Sequence, residues 1–242
     1  IKLYENMLLG AVGDDTILDN LKKDIIKGRS DNKKSQSSCF SALQTYLFYG
    51  PEYIQKRVLS NDTILSFRSD EILSAVKDVL DKGHEILYYG PMKTGDLETV
   101  LKGSHHVAEG AEILPERHDE VLQTPESKVF LAQYDAKQLY YMQYSNRGET
   151  FDPFEAAGIN MYNEYFGGGM NAIVFQEMRE ARGLAYSASA TLATPNYNTE
   201  DFYKYIAVIA TQNDKMRSAI EAFDSIINDM PESEKAFDVA KT

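Results

Sequence analysis

The sequence predicts an α+β fold: a mostly antiparallel sheet with helices packed on one face, preceded by a helical segment. Two observations carry that prediction. Residues 1–83 show only helical periodicity, whereas from His84 short aromatic and β-branched runs mix with helical ones. The resulting order, β-α-β-β-α-α-β-β-α, suits a helical layer laid on a sheet. The expected division is therefore a helical segment over 1–83 and an α+β domain over 84–242.

The helical segment opens with runs at Thr16–Lys27 and Ser35–Tyr49, separated by the polar "GRSDNKKS", and Gly50-Pro51 closes the second. In "SDEILSAVKDVLDKG", Ser69 stands as N-cap and Asp70 and Glu71 occupy the first turn. Ile72, Leu73, Val76, Val79 and Leu80 share one face, and Gly83 lies just past the end. "HEILYYGP" then reads as one buried strand, too short for a helix. A short helix at Gly95–Leu101 leads into about 20 polar residues, a surface connection holding His105, His106 and His118.

"KVFLAQY" and "QLYYMQYSN" flank the turn-like Asp135-Ala136-Lys137 and read as two strands. Asp152, Pro153 and Glu155 supply a cap, an N1 proline and a capping-box acid for a helix to about Phe166. The glycines 167–169 turn the chain, with Asn171 as the next cap and Met170 and Phe175 as a hydrophobic staple. Strands at Leu184–Leu192 and Phe202–Thr211 are joined by "ATPNYNTED". A last amphipathic helix places Met216, Ile220, Phe223, Ile226, Ile227 and Met230 together, and Pro231 terminates it.

The 242 residues, 43% hydrophobic, suffice for one large domain or two small ones with a buried core. No apolar run approaches the roughly 20 residues that span a bilayer. A net charge of −12 repels phosphate backbones, and no basic cluster longer than Lys33-Lys34 offsets it, so nucleic acid is not an expected partner. The single cysteine, Cys39, rules out an internal disulfide and reads as a small buried hydrophobe on a helix. The chain starts at Ile1 and ends on "SEKAFDVAKT", the opening turns of a helix, and so reads as a piece of a longer protein whose compartment is not legible.

Metal, nucleophile and phosphate motifs are missing. His84-Glu85 lacks a histidine four residues on, and "HVAEG" places His106 and Glu109 as in an inverted His-x-x-Glu-His but has Gly110 where the second histidine belongs. One imidazole and one carboxylate make a poor zinc site, so these histidines read as solvated loop residues. No Gly-x-Ser-x-Gly occurs. The three glycines follow a helix rather than a strand and precede no Gly-Lys-Ser/Thr, so they read as a turn and not a phosphate cradle. On the helix after them Ile173, Val174, Phe175 and Met178 can pack, while Gln176, Arg179, Glu180 and Arg182 point elsewhere. Gly183 ends this helix and Tyr186 lies in the strand that follows.

The stretch "FGGGMNAIVFQEMREARGLAYSASA" resembles the signature of the pitrilysin, insulin-degrading-enzyme and mitochondrial-processing-peptidase group of zinc metallopeptidases. In that group a glycine-rich turn leads to a Leu-Phe-x-x-Leu-Arg-Glu helix and an Arg-Gly-Leu-Ala-Tyr strand. The resemblance covers roughly 84–242 and makes 1–83 the tail of a preceding domain. It implies a peptidase of two halves closing around peptide substrate. One half holds zinc on an inverted His-x-x-Glu-His helix, and the other reaches across with an Arg and a Tyr seven residues apart. Arg179 and Tyr186 match that pair and are the candidate catalytic residues, binding the substrate carbonyl and stabilising the oxyanion. This chain then has no metal or cofactor site of its own. It is expected to be inactive alone, to depend on zinc in an N-terminal half of the same protein or a partner subunit, and to act on unfolded peptides. Two other readings stay open: a non-catalytic structural or partner subunit of the same group, and an interaction module using its acidic surface.

Overall fold

The computed structural model describes residues 2–105, 110–115, 119–195 and 202–241. His106, Glu109 and His118, and positions 196–201 of the loop before the last strand, lie outside them. The chain forms two compact units: one holds Ile1–Ser35 and Pro51–Glu120, the other Gln36–Gly50 and Val121–Thr242.

The first unit is built from helices α1 (Lys2–Leu9) and α2 (Asp15–Asn32), the second part of α3 (Gln36–Arg57), α4 (Asn61–Ser66), α5 (Ser69–Asp78) and α6 (Thr94–Ser104). Asp14 caps α2 by accepting from the Thr16 and Ile17 amides at 2.8 and 3.1 Å. Leu18 of α2 and Ile64 of α4 are buried, and Lys22 carries its ammonium to the Leu65 carbonyl at 3.1 Å. α3 breaks at Gly50, whose φ of 72° and ψ of −177° are not helical, and Pro51 has no N–H with which to carry the ladder on.

The cap of α5 falls one residue earlier than expected. Arg68 occupies it, with its N–H donating to Glu71 at 2.9 Å, because the Ser69 hydroxyl is drawn instead to Asp15 at 2.7 Å. The strand expected at "HEILYYGP" does not form. Its neighbourhood supplies only an isolated Lys82–Glu112 bridge, and Leu87 and Tyr89 are solvated. β-propensity yields a strand only where another strand offers its edge.

The second unit contains one sheet of three antiparallel strands, β1 (Gln138–Ser145), β2 (Ser187–Ala193) and β3 (Lys204–Gln212), in the order β1-β3-β2. Val208 sits between Met142 and Ser189, which fixes the register. Against one face lie α7 (Ala156–Phe166), α8 (Ile173–Phe175), the π-helical turn Gln176–Ala181 that extends α8, and α9 (Met216–Asn228), while α10 (Glu234–Ala240) packs on α7. Ala188, Ala190, Ala207 and Ile209 meet Phe166, Val174, Met178, Phe223 and Ile226 there, all buried. The alanines let helix and strand approach closely, and each large side chain contributes about 1.5–3 kcal/mol by leaving water. On the opposite face the first part of α3 covers β1, with Phe40 against Tyr140 and Phe48 against Tyr144 at centroid distances of 5.3 and 4.8 Å.

Three more expectations change here. "KVFLAQY" joins no ladder: Val129 and Leu131 face solvent, and Phe130 packs edge-on against Tyr46. α9 buries Ala219 and Ala222 beside Phe223 and Ile226, whereas Met216 and Met230 stay exposed, because the close approach to β3 admits small residues. Asn171 is not the cap of α8, a role taken by Ala172, and Met170 is exposed and makes no staple with Phe175. The Asp152 cap holds as expected, accepting from Phe154 N–H at 2.9 Å.

Tyr205 on β3 has its hydroxyl buried with no hydrogen-bond partner among the described residues. Burial pushes its phenol well above the ordinary value, and the neighbouring Tyr162 adds to the shift. Tyr205→Phe should therefore stabilise the domain by about 1 kcal/mol or more, raising Tm. The sign with pH follows: the wild-type hydroxyl must stay neutral in the fold, so stability holds below the free phenol value of about 10 and falls as pH rises beyond it. The variant should lose less of it in alkaline melts.

Candidate functional site

Arg179 and Tyr186 come together at one end of the β2 and β3 pair. Val174 and Met178, both fully buried, anchor the α8 helix and its π turn on the sheet, so Arg179, next after Met178, is turned outward. Gly183 stops the helix at φ 57°, donating to the Arg179 carbonyl at 3.1 Å. Leu184 and Ala185 both donate to the Met178 carbonyl, and the Tyr186 amide donates to Ala210 at 2.8 Å. The Thr211 hydroxyl holds the Leu184 carbonyl at 2.6 Å, and Lys215 reaches the Gly183 carbonyl at 3.1 Å. The turn between the two residues is thus tied down at nearly every peptide.

The Arg179 guanidinium lies 5.1 Å from the Phe175 ring centroid and 5.5 Å from that of Tyr186. Two aromatic faces therefore flank one cation, each contact contributing about 0.5–1 kcal/mol at an exposed site. The Arg179 side chain is 44% exposed and Tyr186 is 70% exposed. Among the described residues the ion-pair partner of Arg179 is Glu180, at 3.6 Å, too long for a hydrogen bond, whereas Arg182 is held by Glu177 at 3.1 Å. The Arg179 guanidinium thus stays partly accessible, and its fork of donors is planar.

Phe175 belongs to this arrangement, although its sequence pattern suggests only packing. The available signal was its position four residues before Arg179, the spacing that stacks side chains on one helical face. The π-helical turn, a form that often marks functional sites, has no comparable signature in the sequence.

The glycine turn takes the bland role expected of it. Asn163 O accepts from both Gly167 and Gly168 N–H groups, at 3.0 and 2.6 Å, so those amides are spent within the turn rather than presented to an anion. The histidine reading changes at His105, whose side chain is only 11% exposed and pairs with Glu5. Among the described residues no group of three or more His, Cys, Asp or Glu side chains could hold a metal ion. The zinc that the resemblance implies is expected in the other half, and no donor set of three or more for it stands among the described residues of this chain.

The family model described as the peptidase M16 inactive domain matches residues 95–242. The chain belongs to this family. The match corresponds to the C-terminal, non-zinc part of the pitrilysin group. Solved structures agree in fold. The peptidase M16 inactive domain from Pseudomonas fluorescens aligns with a TM-score of 0.61 at 18% identity, over 94% of this chain and 55% of that one. The periplasmic protease PqqL from Escherichia coli aligns with a TM-score of 0.62 at 14% identity, over 94% of this chain and 25% of its own. The ferredoxin protease FusC, in complex with Arabidopsis ferredoxin, aligns with 0.61 at 11% identity, over 99% and 26% respectively. The chain thus spans about half the length of the first and about a quarter of the other two. No curated protein matches it. No helix among the described residues is long and apolar enough to cross a membrane.

Proposed function

We propose that this M16 inactive domain is the substrate-positioning half of a zinc endopeptidase, and that Arg179 and Tyr186 complete its active site. The observation that carries the reading is the exposed Arg179 guanidinium held between Phe175 and Tyr186 on a rigid helix-to-strand turn. An unfolded peptide laid across it meets a fork of N–H donors and a phenol hydroxyl on one side. Both can donate to the carbonyl oxygen of the bond to be cut. As that carbon becomes tetrahedral its oxygen gains negative charge, and donors already fixed in place stabilise that charge more than they stabilise the ground state. The zinc belongs to the other half, in the same protein or a partner subunit, and none of the steps assigned to this domain runs through it. A fold relative solved as a protease bound to ferredoxin supports a polypeptide as the ligand.

The description of the family as inactive favours a second reading, a structural partner with no role in the transition state. Kinetics on the full-length parent with a fluorogenic peptide separate the two. Tyr186→Phe removes one hydroxyl and should lower kcat/KM about tenfold to a hundredfold, the effect of one hydrogen bond to a charged group. Zinc content and Tm should not move. Unaltered kinetics would leave only the structural role.

A further inference from the structure

We propose that His84 and His105, in the first unit, form a two-imidazole site for a late first-row divalent transition ion, separate from any catalytic zinc of the parent. His105 is the C-cap of α6, its amide donating to Leu101 at 2.8 Å, and its Nδ1 bonds the carboxylate of Glu5 on α1. His84 follows Gly83, which donates to the Glu112 carbonyl at 2.8 Å, and the His84 Nδ1 lies 2.9 Å from the Lys82 carbonyl oxygen. A carbonyl and a carboxylate only accept, so each Nδ1 donates its hydrogen, and the two Nε2 atoms are left for a cation that both can share.

Those two Nε2 atoms face one another at 2.7 Å, with the rings 78° apart. At that separation the two nitrogens hold one cation between them, either a shared proton or, in its place, a metal ion. The surroundings favour one: the carbonyl end of the 11-residue α6, the Glu5 carboxylate and a chain of net charge −12. The ammonium two residues before His84, Lys82, is held by Glu112 at 2.7 Å. A paired imidazole set selects copper, nickel or zinc over magnesium or calcium. The bonds from Glu5 and the Lys82 carbonyl to the far nitrogens are the outer contacts that orient histidine ligands. Bonds of about 2.0–2.1 Å in a tetrahedral ion hold two nitrogens about 3.3 Å apart. The rings must therefore part by about 0.6 Å on loading, which His84 can do because its stretch belongs to neither helix nor strand. Water completes the coordination.

Titration of the 242-residue chain with Zn²⁺ by calorimetry, and with Cu²⁺ by visible absorption, tests the site. One equivalent should bind, with affinity falling at least tenfold in His84→Ala and in His105→Ala and persisting in Cys39→Ser. Glu5→Gln should keep the stoichiometry and weaken binding about tenfold to a hundredfold. Zn²⁺ should raise Tm of the wild type and not of His84→Ala. His84 is exposed, so this variant decides the matter if His105→Ala fails to fold. Affinity unchanged in His84→Ala, or no saturable binding because the pair holds only a shared proton, would overturn the proposal.

Discussion

Arg179→Ala in the full-length parent is expected to lower kcat/KM by on the order of 10²–10³-fold, the effect of deleting one preorganised oxyanion donor. The loss should fall on kcat more than on KM, because in the proposed role the guanidinium meets full negative charge only in the transition state. Stability gives no competing explanation. The side chain is 44% exposed, and its contacts with Phe175 and Tyr186 are worth about 0.5–1 kcal/mol each, so Tm should shift by only a few degrees. Arg179→Lys should recover little, since an ammonium keeps the charge but loses the planar fork and the stacking. The double variant with Tyr186→Phe should lose less than the product of the single losses, as expected of two groups acting on one oxygen. If Arg179→Ala cleaves peptide at the wild-type rate, the site assignment fails even if the domain proves necessary for activity.

Gly167→Ala should be the most damaging of the changes in the glycine turn, while Gly169→Ala should be silent. A Cβ at Gly167 would run into the Ala190 carbonyl oxygen and come within 2.5 Å of its nitrogen, and both are backbone atoms of β2. Nothing lies within 4 Å of a Cβ at Gly169. At Gly168 the obstacle is the Asn163 carbonyl oxygen at 2.8 Å, the acceptor of two amides of the turn. Relief at Gly167 requires α7 and β2 to separate, which strains the core at Phe166 and Ala190. We expect a cost of about 2–4 kcal/mol, at or above the upper end of overpacking penalties. Denaturant midpoints of the two variants test this directly. Equal midpoints would mean that the turn is merely permissive. The separation would also break a tie that covers the edge of β2, where the Asn163 side chain accepts from the Leu192 N–H at 2.8 Å and donates to its carbonyl at 3.0 Å.

Arg179 and Tyr186 were marked as a pair by the resemblance alone, while the outward helical face of the one and the strand position of the other were legible in the local pattern of a glycine-ended helix followed by a strand. The cap at Asp152, the break at Gly50-Pro51 and the face of α9 around Phe223 and Ile226 were legible for the same reason: each rests on neighbours within about two turns. The strands expected at "HEILYYGP" and "KVFLAQY" failed on the opposite ground. A strand is completed by an edge far away in sequence, and neither run has one. His105 likewise read as solvated until α6 brought it to Glu5, 100 residues distant in the chain.

Local chemistry alone therefore accounts for the helices, their stops, the net negative charge, and an outward arginine on a helix that a strand tyrosine follows. Long-range packing decided the rest. It chose which β-patterned runs became a sheet and required a glycine at 167 for the sake of Ala190. It also tied Tyr186 to Ala210 beside Arg179 and faced two histidines across 2.7 Å. The division follows from range: backbone propensity and capping act between residues a turn or two apart, whereas close approach, strand pairing and ring contacts exist only once distant segments have been folded together.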